Sequence, residues 1–255
     1  MTLSERHEKI LNKIEQFGKV SVQQLSTELS VSEVTIRKDL RMLEDKNLLF
    51  RTHGGATRSN PYRGDRHVHE KEKIQAKEKQ AIANEAVKLI GENDSIILAS
   101  GTTILALARE IQPISNLNII TSALNVSLEL SAKENVDITQ LGGQLRSSSS
   151  SVVGKYAEQF LENITCGILF LGVDGIDLDF GLTTTNLGEA SLNRRFIEVA
   201  QYTVVLADST KFGKRGFSRI CTLDCVQHVV TDEGTDPITI KKLEENGVRV
   251  TVSEL

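Results

Sequence analysis

No apolar run in the 255 residues approaches the ~18 that a membrane-spanning helix needs. The most strongly apolar, Ile168-Leu169-Phe170-Leu171, is closed off by Gly167 and Gly172. The first nine residues, from Met1 to Lys9, lack the apolar core of a secretion signal. The chain is therefore expected in the cytoplasm, with no membrane partner. Cysteine is scarce: three residues, an odd number with no Cys-x-x-Cys spacing, which suits a reducing compartment. Cys221 and Cys225 have no His pair nearby, so no zinc site is expected, and no other metal or cofactor. Proline occurs three times, and Pro61 marks a polar, aperiodic stretch that reads as a linker.

What the chain does contain is ordinary for a folded protein. Apolar residues make up 39% and charged residues 25%, which argues against disorder along the whole chain. The length allows one or two domains and a core without disulfide staples. The net charge is -4, but it is unevenly spread. Residues 1–80 hold 16 basic and 12 acidic side chains, while the remaining 175 hold 14 and 22. A basic front and an acidic remainder signal different partners when a motif accompanies the charge.

That motif lies at the front. Ile10, Leu11 and Ile14 share one side of a first helix that Gly18 can end. Ser21-Val22-Gln23-Gln24 has the spacing of a capping box and opens a short second helix. Ser30-Val31-Ser32 is a tight connection to a third helix over about 33–45. Two short helices joined in this way describe a helix-turn-helix. On the third helix Ile36, Leu40 and Leu43 form one buried stripe. The opposite face carries Val34, Lys38, Arg41 and Asp45, flanked by Thr35 and Arg37. Short side chains followed by cations suit a helix entering the major groove of DNA. Ser32, Val34, Thr35, Arg37, Lys38 and Arg41 are thus candidate DNA contacts. Residues 47–55 read as a strand and turn, a wing that adds Arg51 and His53. On spacing alone, a solvated helix face fits equally well.

Beyond the linker, the segment 70–90 has a helical pattern. Short apolar runs then alternate with amphipathic ones. Strands are expected at 95–99, 117–121, 136–140, 167–173, 203–207, 226–231 and 248–252. Helices are expected at 104–110, 124–132, 155–162, 189–201 and 238–246. Such alternation implies an α/β domain around a mostly parallel sheet. Ser100-Gly101-Thr102-Thr103 joins a strand to a helix, where backbone N–H groups, hydroxyls and the helix dipole favour an anion. The same loop composition also serves as a plain helix cap. Asp174 and Asp177 follow the most apolar strand and can hold sugar hydroxyls, a metal or nothing. Lys211 follows another strand and can reach a phosphate. Open α/β sheets bind ligands at these carboxyl edges. The serine run 147–151 reads as a mobile loop rather than as pocket lining. His67 and His69 read as solvated.

The segment 25–40, LSTELSVSEVTIRKDL, resembles the DeoR-type helix-turn-helix signature, and Arg51-Thr52-His53-Gly54-Gly55-Ala56 resembles that family's wing. Ser100-Gly101-Thr102-Thr103, Leu141-Gly142-Gly143, Asp174-Gly175-Ile176-Asp177, Gly181-Leu182-Thr183-Thr184, Glu189-Ala190 and residues 207–213 resemble its sensor domain, which is similar in fold to ribose-5-phosphate isomerase. The resemblance implies an α-rich winged helix-turn-helix at 1–58, a linker at 59–72 and an α/β sensing domain at 73–255. It implies a homo-oligomeric, non-enzymatic repressor of carbohydrate or related genes. The partners would be operator DNA and a phosphorylated sugar-type effector held by Ser100, Gly101, Thr102, Thr103, Asp174, Asp177, Glu189 and Lys211. Asp39 belongs to the signature and is expected to orient Arg37 or Arg41 rather than meet DNA. Ala99 departs from the family's usual Asp, removing a carboxylate from the expected sugar contacts. The competing reading is a sugar-phosphate isomerase with Glu189 as base, but Gly181-Leu182-Thr183-Thr184-Thr185 offers no lysine where that enzyme carries one.

Overall fold

The computed structural model describes residues 2–45, 48–52, 54–57, 67–92 and 95–255, with the side chain of Asp45 excepted. His53 and most of the expected linker therefore lie outside the described residues. The chain divides into two compact units, Met1–Gly64 and Asp65–Leu255.

In the first unit, α1 (Leu3–Phe17) opens with Thr2 and Glu5 bonding each other's backbone N–H and stops at Gly18, whose φ of +74° favours glycine. Ser21 caps α2 (Val22–Leu29) by accepting the Gln24 N–H at 3.1 Å. The Gln24 side chain does not complete the expected box; it bonds Glu28. Ser32 caps α3 (Glu33–Asp45), accepting the Thr35 N–H at 3.2 Å. Ile10, Ile14, Leu25, Ile36, Leu40, Leu43 and Leu49 close the core. Three short strands complete the wing: β1 (Lys19–Ser21), β2 (Phe50–Thr52) and β3 (Gly55–Thr57), in the order β1-β3-β2. Of these only β2 lies in the expected strand and turn; β1 and β3 were not expected.

The second unit starts with α4 (Val68–Glu72) and α5 (Ala76–Ala86). The single helix expected over 70–90 is broken between them. Gln75 adopts a left-handed φ of +52°, and the nearby carbonyls turn to the Lys79 ammonium instead of continuing the helix. There follow β4 (Ser95–Leu98), α6 (Thr102–Glu110), β5 (Leu117–Thr121), α7 (Leu124–Leu130) and β6 (Val136–Gln140). Next come β7 (Gln144–Arg146), β8 (Ser151–Val153), α8 (Lys155–Phe160), β9 (Cys166–Gly172), β10 (Gly175–Asp177) and β11 (Gly181–Thr184). The chain ends with α9 (Leu187–Val199), β12 (Ala200–Leu206), β13 (Ser218–Cys221), β14 (His228–Asp232), α10 (Pro237–Glu245) and β15 (Arg249–Ser253).

All seven expected strands join one parallel sheet in the order β15-β14-β12-β9-β4-β5-β6. Both faces are buried. Ile97, Leu169 and Leu171 pack on one side, and Ile96, Leu98 and Phe170 on the other, which is why these strands read as unbroken apolar runs. From β4 the chain builds outward through β5 and β6, then returns to add β9 on β4's other side. The carboxyl ends of β4 and β9 therefore flank a topological switch point, where open sheets form a crevice. The antiparallel hairpin β7–β8 and the small sheet β10-β11-β13 were not expected. Their short, mixed-polarity strands lack a clear alternation.

Candidate functional site

The helix α3 presents an open cationic face. Val34 is 64% exposed, Arg37, Lys38 and Arg41 are exposed, and Thr35 is half-buried. The side chains of Lys38 and Arg41 have no hydrogen-bond or ion-pair partner among the described residues. Arg37 is held by Glu33 at 3.1 Å, and the exposed Ser32 spends its hydroxyl on the helix cap. On the wing, the Arg51 N–H donates to Glu44 and its guanidinium lies 3.7 Å from the same carboxylate. Asp39 departs from expectation. It does not orient Arg37 or Arg41, because it lies on the buried side of the helix. There it accepts from Arg6 Nε at 2.5 Å and Nη2 at 3.0 Å, with His7 Nε2 at 3.2 Å. Burial works to raise its pKa, but the bonds from Arg6 and His7 outweigh this and hold it below the ordinary value.

In the second unit, a cleft of about 660 Å³, open to solvent, lies at the switch point. Ser100, Gly101, Thr102 and Thr103 form its floor beyond β4. Gly101, with φ +125°, starts α6, and no side chain caps that helix among the described residues. Its first N–H groups are therefore left for a ligand. Gly172 ends β9 in the same wall, where a Cβ would stand 2.9 Å from the Ser100 carbonyl oxygen. Lys211 enters from the turn after β12, and its ammonium has no hydrogen-bond or ion-pair partner among the described residues.

Two carboxylates occupy the cleft. Asp174 Oδ1 is 2.9 Å from Lys71 Nζ, and its Oδ2 accepts the Thr185 N–H at 3.1 Å. Burial pushes its pKa up, but Lys71, Lys211 and its hydrogen bonds hold it below normal. Glu189 is buried, 3.2 Å from Arg146 Nη1. The Thr184 hydroxyl lies 3.1 Å from Asp174 Oδ2 and 3.2 Å from Glu189 Oε2, yet has a single proton to give. The carboxylate that does not receive it keeps its other donor, the Thr185 N–H for Asp174 or the Arg146 guanidinium for Glu189.

Asp177 does not join this group. It points away on β10 and pairs with Arg215 through Nε at 2.7 Å and Nη2 at 2.9 Å, while accepting two backbone N–H groups. Ala99, at the family's Asp position, is fully buried in the core and outside the cleft lining. The serine run also departs from expectation. Ser148 and Ser149 line the cleft, and their turn is tied down: the Ser148 carbonyl accepts Val68 N–H, the Ser150 carbonyl accepts Leu124 N–H, and the Ser149 and Ser151 hydroxyls bond each other.

Lys71, Lys79, Thr184 and Asn193 were not assigned to the site from sequence. Lys79 left a signal: with Ile82, Ala83 and Ala86 it sits on the buried stripe of α5. Burial pulls its pKa down to about 8. Among the described residues, no cluster of His, Cys, Asp and Glu could hold a metal, and no helix is long and apolar enough to cross a membrane.

A helix-turn-helix with an open cationic helix, joined in one chain to a parallel α/β unit with a polar cleft, defines a transcriptional regulator with a sensor domain. Residues 6–61 match the DeoR-like helix-turn-helix domain, and residues 74–233 match the DeoR C terminal sensor domain. The chain belongs to the DeoR family of transcriptional regulators. It is 38% identical to the HTH-type transcriptional regulator YulB of Bacillus subtilis, over 100% of this chain and 98% of that one. It is 38% identical to the putative aga operon transcriptional repressor of Escherichia coli O157:H7, over 97% and 93%. It is 31% identical to the glycerol-3-phosphate regulon repressor of Escherichia coli K12, over 95% and 96%.

Proposed function

We propose that the protein is a repressor that releases its operator when a phosphorylated sugar or polyol occupies the cleft. The observation that carries this is the polarity of the cleft. Lys79, Lys211 and the uncapped start of α6 line it together with Asp174 and Glu189. The first set favours a phosphate and the second favours hydroxyl donors. A relative named for the glycerol-3-phosphate regulon supports the same class of effector. Ser100, Gly101, Thr102, Thr103 and Lys211 hold the phosphate in this reading. Asp174 and Glu189 face the hydroxyls, and Asp177 takes no part.

On DNA, Val34, Thr35, Lys38 and Arg41 enter the major groove, with Arg37 flanking them and Arg51 at the backbone. One helix-turn-helix reads about half a site, so the working form is a homo-oligomer. The effector favours the state that releases DNA by roughly 1–3 kcal/mol of coupling.

The isomerase reading is weaker. A general base must be free to take a proton from its substrate, and both cleft carboxylates already face a cation, Lys71 or Arg146. Calorimetry with phosphorylated sugars and their unphosphorylated parents tests the proposal. Tighter binding of the phosphorylated member is expected, and equal binding of the parent overturns it. Incubation with ribose 5-phosphate is expected to give no ribulose 5-phosphate.

A further inference from the structure

Lys79 does more than line the cleft. Its ammonium donates to the backbone carbonyls of Lys71 and Ile74, both at 2.5 Å. These carbonyls lie at the end of α4 and in the turn after it, where Gln75 is left-handed. An ammonium has three N–H donors. Two are committed to the α4–α5 junction, and the third has no protein acceptor among the described residues. Asp208 and Glu72 act on this buried cation through space, but among the described residues neither takes the donor that is left at the edge of the cleft.

The segment that Lys79 holds is short. With five residues, α4 cannot persist on its own helical propensity. Its order depends on ties around the cleft: Val68 N–H to the Ser148 carbonyl at 2.7 Å, Lys71 to Asp174 at 2.9 Å, and Arg109 Nη2 to Glu72 at 2.8 Å. It is also the first described helix after residue 57, so the chain enters the sensor unit through it.

We propose that Lys79 is an anion relay: an anion in the cleft takes its third donor and thereby fastens residues 67–75. This rests on the reading of the cleft as an anion site, and adds that occupancy is transmitted to the entry segment. The anion offsets the cost of burying the charge, so the ammonium stays protonated and its two carbonyl bonds persist. Without that anion only Asp208 and Glu72 act on the charge, through space and against Lys211 and Lys71, and the segment opens more often. The ligand thus sets the conformational freedom of the segment that follows the DNA-binding unit.

Hydrogen–deuterium exchange of the full chain in sulfate against chloride, at matched ionic strength, tests the relay. Sulfate is expected to slow exchange of the peptide covering residues 67–75 by threefold or more. The protection should track occupancy measured by calorimetry. Lys79→Gln is expected to bind sulfate more weakly and to lose the protection at any occupancy reached. Should that variant fail to fold, the wild-type titration still decides. Sulfate bound with exchange at 67–75 unchanged overturns the relay and leaves the anion site standing. No sulfate binding overturns both.

Discussion

Arg6 grips Asp39 with two nitrogens, at 2.5 and 3.0 Å, and so ties the first helix to the helix that carries the cationic face. Both side chains are largely buried. Removing one partner of a buried pair strands the other charge and costs about 3–5 kcal/mol. Asp39→Ala should therefore lower the unfolding free energy of the winged unit by that order, as read by urea denaturation. Because the folded pKa of Asp39 lies below its unfolded value, this contribution is full above the usual carboxylate range and fades as pH falls through the folded pKa. Acid unfolding of the wild type below about pH 4 should contain a component that Asp39→Asn lacks.

Lys38→Ala and Arg41→Ala should leave the melting temperature unchanged, since neither side chain has a protein partner among the described residues. Each should weaken operator binding. A phosphate contact reduces the slope of log affinity against log salt by about one unit, whereas a base contact relaxes sequence preference at a cost of about 1–3 kcal/mol. Gel shifts across a salt series separate the two. Wild-type binding by both variants would mean that a different face meets DNA.

Thr102→Val and Lys211→Ala touch only the cleft. Both variants should keep operator affinity and lose tenfold or more in affinity for the phosphorylated effector, while binding its unphosphorylated parent as the wild type does. Filter binding with and without effector checks the first half, and calorimetry the second.

The Lys79 ammonium titrates near pH 8, far below a free lysine, because it is buried. Asp208 and Glu72 work to raise its pKa, and Lys211 and Lys71 to lower it. The unfolded chain holds this proton up to the ordinary lysine range. The charged form therefore costs stability below pH 8, and stability recovers as pH rises from 8 toward 10.5. Anion binding needs the proton, so sulfate affinity should fall above pH 8 by up to about tenfold per unit. Sulfate itself does not titrate there. A flat profile between pH 7 and 9.5 would remove Lys79 from the anion site.

The sheet was legible because each of its strands is buried on both faces, and an unbroken run such as Ile168-Leu169-Phe170-Leu171 needs no alternation to be recognised. The third helix was legible through the Ile36, Leu40 and Leu43 stripe. What escaped depended on partners distant in the chain. Asp39 lies beside Arg37 and Arg41 in sequence, yet its cation is Arg6. Asp174 and Asp177 are three residues apart, yet a short hairpin strand sends one into the cleft and the other to Arg215. The serine run looked featureless because its order comes from backbone bonds to Val68 and Leu124. The break at Gln75 has no local glycine or proline to announce it; a buried lysine one turn later imposes it.

The strand order has a consequence for how the molecule assembles. At the centre of the sheet, Ile96 pairs with Ile119 on one side and with Ile168 on the other. The second pairing closes a long loop and is slow to form. Synthesis runs from the N-terminus, and the winged unit needs only contacts within its own short stretch. On the ribosome that unit is therefore finished while the far wall of the cleft, from Gly172 to Lys211, is still being made. Each new copy passes through a stage in which its winged unit is folded while the cleft does not yet exist.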